Sequence, residues 1–277
     1  MGEGAGWSPL LGLIPILVAA GFVTGFLAGL LGIGGGAVLV IALYEAFGLA
    51  GVDEAIRMHL TTGTALAVIA PTSLRSFQVH RGKGAVDMDL VRRLAPMIFV
   101  GVAGGILAAG HSGGNLFKGV WALMGTVLAL RMFFARDSWR LGPDIPGSRL
   151  VEAYGVFVGF ISTLMSIGGG AYITMLMTLY GRGVHQAVGT SSAFGPLIAI
   201  PGLVGFMWAG WGAPDLPPGS VGYVSLVGAA LAIPTGWVAA PIGARLAHRF
   251  SRRQLEIAFG SFMSIVALRF LASLVLW

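Results

Sequence analysis

The sequence contains no cysteine. That excludes disulfides, iron–sulfur clusters and thiolate metal sites, and it leaves the redox compartment unmarked. Charge is scarce as well: 10% of the 277 residues are Asp, Glu, Lys or Arg, against about 25% in an ordinary soluble domain. No G-x-x-x-x-G-K-[ST] run occurs, which speaks against ATP hydrolysis within this chain. The first thirty residues hold no Lys or Arg, and Glu3 is their only charge. A secretory leader carries a basic stretch before its apolar core, so 10–31 reads as a transmembrane segment of the mature chain.

What is present is apolar. Hydrophobic residues make up 56% of the chain and the mean hydropathy is +0.86, the composition of an all-α polytopic membrane protein. The 45 glycines suit closely packed transmembrane helices. The pI near 10.3 does not point to nucleic acid, because the basic residues sit in short loops between apolar runs. Apolar segments are expected at about 10–31, 36–49, 60–79, 94–110 and 116–135, then at 150–166, 170–181, 186–209, 221–247 and 254–276. The segments at 36–49 and 170–181 are too short to cross about 30 Å of hydrocarbon comfortably. Each is expected to pair with its predecessor as a broken or re-entrant hairpin.

The two halves resemble each other. Gly25-Phe26 matches Gly159-Phe160, and Ile33-Gly34-Gly35-Gly36-Ala37 matches Ile167-Gly168-Gly169-Gly170-Ala171. His59 matches His185, Gly63-Thr64 matches Gly189-Thr190, Pro96 matches Pro234, Gly105 matches Gly243, and Leu130-Arg131 matches Leu268-Arg269. Duplication follows, with repeats at 1–135 and 150–277 and a linker at 136–149. Loop charge orients them. Arg75, Arg81, Lys83, Arg92 and Arg93 place one loop in the cytoplasm, whereas the corresponding loop of the second half, at 211–220, has Asp215 and no Lys or Arg. The next pair of loops reverses the bias, and the basic linker is cytoplasmic. The sequence therefore reads as two inverted-topology repeats of about five helical segments each, with both termini periplasmic.

Inversion brings two glycine breaks towards the membrane midplane from opposite sides. The helix after each break, opening at Gly36-Ala37 or Gly170-Ala171, has unpaired first-turn N–H groups and about half a positive charge. Two such ends make an anion site from main chain, with Ile33, Gly34, Gly35, Gly36 and Ala37 on one side and Ile167, Gly168, Gly169, Gly170 and Ala171 on the other. Close helix packing is the plainer use of such glycines. Thr62-Gly63-Thr64 and Gly189-Thr190-Ser191-Ser192 are expected to open the next helices, where hydroxyls cap N–H groups or bind ligand.

These motifs, Gly29-Leu30-Leu31-Gly32-Ile33-Gly34-Gly35-Gly36 with Gly63-Thr64-Ala65, and Ser166-Ile167-Gly168-Gly169-Gly170 with Gly189-Thr190-Ser191, resemble the TauE/SafE family of sulfite exporter-like permeases. The resemblance runs from about residue 21 to residue 271. It implies secondary export of sulfite or organosulfonate across a bacterial inner membrane, with no cofactor. Thr61-Thr62 departs from the Ala-Val common in that family, which bears on substrate choice.

Five titratable residues are candidates for coupling or gating. Glu45 lies in the short helix after the first glycine cluster, where an acid is expensive unless it snorkels. Arg131 and Arg269 are repeat-related and lie in apolar runs, where they serve the anion path or bond helix carbonyls. His59 and His185 are repeat-related, and histidine is the residue type that can change charge near neutral pH. An anion channel of the same architecture is the main alternative. An intramembrane hydrolase using Ser191 or Ser192 with His185 is a distant one, because no third group is evident. The partners expected are a small anion and membrane lipid, and a homodimer is compatible with the sequence.

Overall fold

The computed structural model describes residues 14–31, 36–134, 140–247 and 252–275. Among them the chain is helical almost throughout: α1 (Ile14–Leu31), α2 (Gly36–Leu49), α3 (Glu54–Gly82), α4 (Met88–His111), α5 (Gly114–Phe134), α6 (Arg149–Met165), α7 (Gly170–Leu179), α8 (Val184–Ser191), α9 (Phe194–Ala209), α10 (Leu226–Ala247) and α11 (Arg252–Val275). A two-residue antiparallel ladder, β1 (Ser220–Val221) with β2 (Val224–Ser225), precedes α10. Among the described residues, five stretches are long and apolar enough to cross a membrane: Met88–His111, Gly114–Phe134, His185–Ala209, Leu226–Gly243 and Glu256–Val275. Helices Gly36–Leu49 and Gly170–Leu179 are apolar but shorter, as their segment lengths suggest.

One boundary differs from the sequence expectation and has a local cause. Helix α3 begins at Glu54, because the Asp53 carboxylate accepts from the Ala55 N–H at 2.8 Å and an acid fills the first turn. The polar stretch before Thr61 is thus helix, not loop, and Thr61 to Thr64 lie well inside it. The expected 186–209 segment is present as the single apolar stretch His185–Ala209, with a turn at Ser192 and Ala193 between α8 and α9, so Gly189, Thr190 and Ser191 lie in α8 just before that turn.

Packing follows small residues. Helix α1 lies along α10, α4 along α6, and α5 along α11. A Cβ on Gly25 would fall 2.1 Å from the Gly236 carbonyl oxygen, and one on Gly159 would fall 2.3 Å from that of Ile98. Those backbones touch, which only glycine permits. The two contacts are counterparts in the sequence match: Gly25 pairs with Gly159, and position 98 with 236 in the register set by Pro96 and Pro234. The first half's leading helix is therefore seated on the second half's α10, and the second half's leading helix on the first half's α4. Each half's first helix thus makes its main contact with the other half. The core runs through both, with Trp121, Tyr44, Phe117, Phe194, Phe206 and Phe270 among the largest fully buried side chains.

Candidate functional site

Residues 32–35 lie outside the described residues, and Ile33, Gly34 and Gly35 with them. The start of α2 is described. A Cβ on Gly36 would fall 2.0 Å from the Ser166 carbonyl oxygen and 3.1 Å from Ile167 Cα. The helix that follows the first glycine cluster therefore abuts the turn that carries the second. Ile69 of α3 wedges between them: its Cδ1 is 2.9 Å from the Cβ position of Gly36, and its Cγ2 3.6 Å from that of Gly168.

The second turn is built on left-handed backbone. Ser166 ends α6 at φ 51, and Gly168 and Gly169 follow at φ 65 and φ 71. A side chain at either glycine would be strained. Gly169 stands at the N-cap of α7, and no side chain caps the first turn there. Ala37 and Ala171, the second residues of α2 and α7, are both buried. The Ser166 hydroxyl donates to the Thr62 carbonyl at 2.9 Å, tying the turn to α3. One helical turn back on α6, Ser162 Oγ lies 3.4 Å from the Cβ position of Gly169.

The hydroxyls divide into two groups. Thr64 Oγ1 accepts from the Ser225 N–H at 2.9 Å, and Thr190 Oγ1 accepts from the Asp87 N–H at 2.9 Å. Ser225 and Asp87 are themselves caps: their side chains accept from Gly228 N and Leu90 N, at 3.1 and 3.0 Å. Each threonine thus holds the start of a helix in the other half. Beside them, a Cβ on Gly63 would fall 2.1 Å from the Tyr223 carbonyl oxygen, and one on Gly189 would fall 2.5 Å from that of Ala85. Ser191 and Ser192 donate back to the Val188 and Gly189 carbonyls at 2.9 and 2.6 Å. These four hydroxyls make hydrogen bonds within the fold, the structural use that the sequence offers for them beside ligand binding. Thr61, Thr62 and Ser162 form the second group. All three are fully buried and their hydroxyls have no hydrogen-bond partner. In the sequence Thr61 stands out at the head of Thr61-Thr62-Gly63-Thr64 and as a departure from the family pattern, whereas Ser162 does not stand out: a lone serine in an apolar helix carries no signal.

The titratable candidates scatter. Glu45 and Arg269 pair, Oε1 to Nη2, at 2.9 Å, so two residues chosen separately form one contact between α2 and α11. Arg57, Lys118 and Arg269 surround the Tyr44 ring at 5.4, 5.9 and 6.0 Å, and Lys118 also pairs with Glu54. Arg131 acts electrostatically on Tyr154, in a different part of the protein. His59 is buried, packed against the rings of Phe117 and Tyr223, with Nε2 at 3.0 Å from the Ala109 and Ser112 carbonyls. Two acceptors fix the proton on that nitrogen. His185 is exposed at the first turn of α8. No group of three or more His, Asp or Glu able to hold a metal occurs among the described residues.

A model of the sulfite exporter TauE/SafE family matches residues 17–270. The chain belongs to the TauE/SafE family. TauE/SafE relatives include a probable membrane transporter protein of Haemophilus influenzae, 31% identical over 92% of this chain and 97% of the relative. Others come from Methanocaldococcus jannaschii, 25% identical over 92% and 94% of the two chains, and from Bacillus subtilis, 26% identical over 91% and 98%. Both are named probable membrane transporter proteins. No solved structure matches. This TauE/SafE chain is a membrane transporter, not an enzyme.

Proposed function

We propose that the protein is a secondary transporter that exports a small sulfur-containing anion, sulfite or an organosulfonate, by alternating access around the place where the start of α2 meets the second glycine turn. The observation that carries this is the abutment of Gly36 on Ser166 and Ile167, which gathers two helix starts, α2 and α7, into one locus. Helix starts present free N–H groups and positive potential, so they receive an anion without a buried cation. The exchanged contacts, Gly25 with Gly236 and Gly159 with Ile98, then Thr64 with Ser225 and Thr190 with Asp87, have the reciprocity of a two-fold relation. With the opposed loop charges, that supports inverted repeats at 1–135 and 150–277 in a bacterial inner membrane, both termini periplasmic. One interlocked group of helices, drawn from both halves, then rocks against another about the fixed site. The membrane potential alone drives an anion out of a cell negative inside, by about 2.3 kcal/mol per charge at 100 mV.

Efflux from proteoliposomes loaded with sulfite, methanesulfonate or sulfate tests this, under an imposed potential and then under a proton gradient. Saturable efflux that accelerates when unlabelled anion is present on the far side is the carrier result. Efflux without such stimulation would make the protein a channel, and no efflux of any of the three would overturn the proposal.

A further inference from the structure

We infer that Ser162 and Thr62 are ligand residues of that anion site, and that the site they make accepts a singly charged oxyanion and discriminates against a dianion. The inference rests on the transporter proposal and specifies its chemistry. A buried hydroxyl without a partner is costly in a membrane protein, where water does not compensate it. Among the described residues Thr24, Thr61, Thr62, Ser162 and Ser220 carry that cost, and Thr61, Thr62 and Ser162 are wholly buried. The Ser162 hydroxyl and the Thr62 backbone lie at one place. Ser162 Oγ faces Gly169, the uncapped start of α7, at 3.4 Å from its Cβ position. Thr62 is tied to the same glycine turn, bonded through its carbonyl to Ser166, one helical turn from Ser162. An oxyanion bound at the α7 start would accept from the first-turn N–H groups and from both hydroxyls, which ends their isolation.

The donor set also fixes the charge. Lys118 is the only buried Lys or Arg among the described residues, and it is committed to Glu54. The hydroxyls are neutral and a helix start supplies about half a charge. Since desolvation grows as the square of the charge, a dianion loses roughly four times as much hydration as a monoanion, and no buried cation among the described residues offsets it. Hydroxyls also accept, which ammonium and guanidinium groups do not. A protonated oxyanion such as hydrogensulfite can therefore donate its own O–H to Ser162 or Thr62. The match is one-sided: Ala187 and Val188 stand where Thr61 and Thr62 stand in the other half, and Ala28 where Ser162 stands.

The test uses Ser162→Ala and Thr62→Val in proteoliposomes at constant pH, with methanesulfonate and sulfate competing against labelled sulfite, and thermal unfolding of each purified protein without anion. Each substitution is expected to raise the half-saturating concentration by about ten-fold or more, the loss of one hydrogen bond to a charged group. Because each removes an orphaned polar atom, Tm without anion should stay level or rise. Sulfate should compete at least about ten-fold more weakly than methanesulfonate in the wild type. Wild-type uptake that neither variant alters, a Tm lowered with half-saturation unchanged, or sulfate equal to methanesulfonate would overturn this inference while leaving the transporter standing. A wild type inert to all three anions overturns both.

Discussion

The two halves share a scaffold and differ in what they place on it. Gly25 and Gly159 seat their helices in the same way, and Thr64 and Thr190 hold equivalent helix starts. Yet His59 is buried between aromatic rings while His185 is exposed, and among the described residues a buried lysine occurs in the first half only, paired with Glu54. The unpartnered hydroxyls near the turn, Thr62 and Ser162, have valine and alanine as counterparts. Symmetry serves the fold, where two equal seats balance each other. The hydroxyls proposed as ligands lie where the match between the halves is broken.

Substitutions in pairs test that division. A clear difference is expected between two ion pairs. Glu54→Gln removes the carboxylate from Lys118. The lysine side chain is 3% exposed but that of Glu54 is 51% exposed, so the cost should fall between the surface and buried cases, about 1–3 kcal/mol. Asp144→Asn breaks the more exposed pair with Arg182, at 2.7 Å, and should cost no more than about 1 kcal/mol. Unfolding in detergent measures both. Equal costs would mean that Lys118 is not desolvated in the folded protein.

Gly25→Ala and Gly159→Ala come next. Each drives a methyl into backbone and should destabilise by about 1–3 kcal/mol, the two values agreeing within error. A clear inequality would break the equivalence of the two seats. His59→Leu strips the Ala109 and Ser112 carbonyls of their shared donor and should cost about 1–3 kcal/mol. Its exposed counterpart, in His185→Leu, should move stability by less than about 0.5 kcal/mol. The smallest matched effect belongs to Thr64→Val and Thr190→Val, each leaving one N–H unanswered. About 1 kcal/mol apiece is expected from paired thermal scans, and a silent Thr190→Val would deny that the second cap matters.

Much of this is legible in the sequence, because apolar segment length and glycine placement directly record bilayer thickness and backbone approach. The short helices after each glycine cluster are one example; Gly25 and Gly159 stand out in the sequence only as a repeat match, and their seats on the other half come from the packing. Hydropathy misplaces the start of α3, because the apolar run opens only at Leu60 whereas Asp53 caps the helix at Glu54. A capping carboxylate sets a boundary that no hydrophobic pattern marks. Glu45 and Arg269 are visible singly but not as partners, because their pairing depends on how α2 and α11 pack. Thr64 and Thr190 read as ligand groups for a related reason: the N–H groups they accept from lie in the other half. Ser162 has no pattern to betray it and is distinguished only by what surrounds it.

The exchanged caps also bear on how the protein is made. Asp87 waits for Thr190, 103 positions later, and Ser225 is received by Thr64, laid down 161 positions before it. During synthesis the first half enters the bilayer with the start of α4 unsupported, and its leading helix lacks the α10 surface on which it will sit. The halves are therefore not two small proteins joined by a linker. Each is an unfinished surface until the other arrives, so a ribosome that stops after the linker should leave a product for proteolysis, not half a transporter.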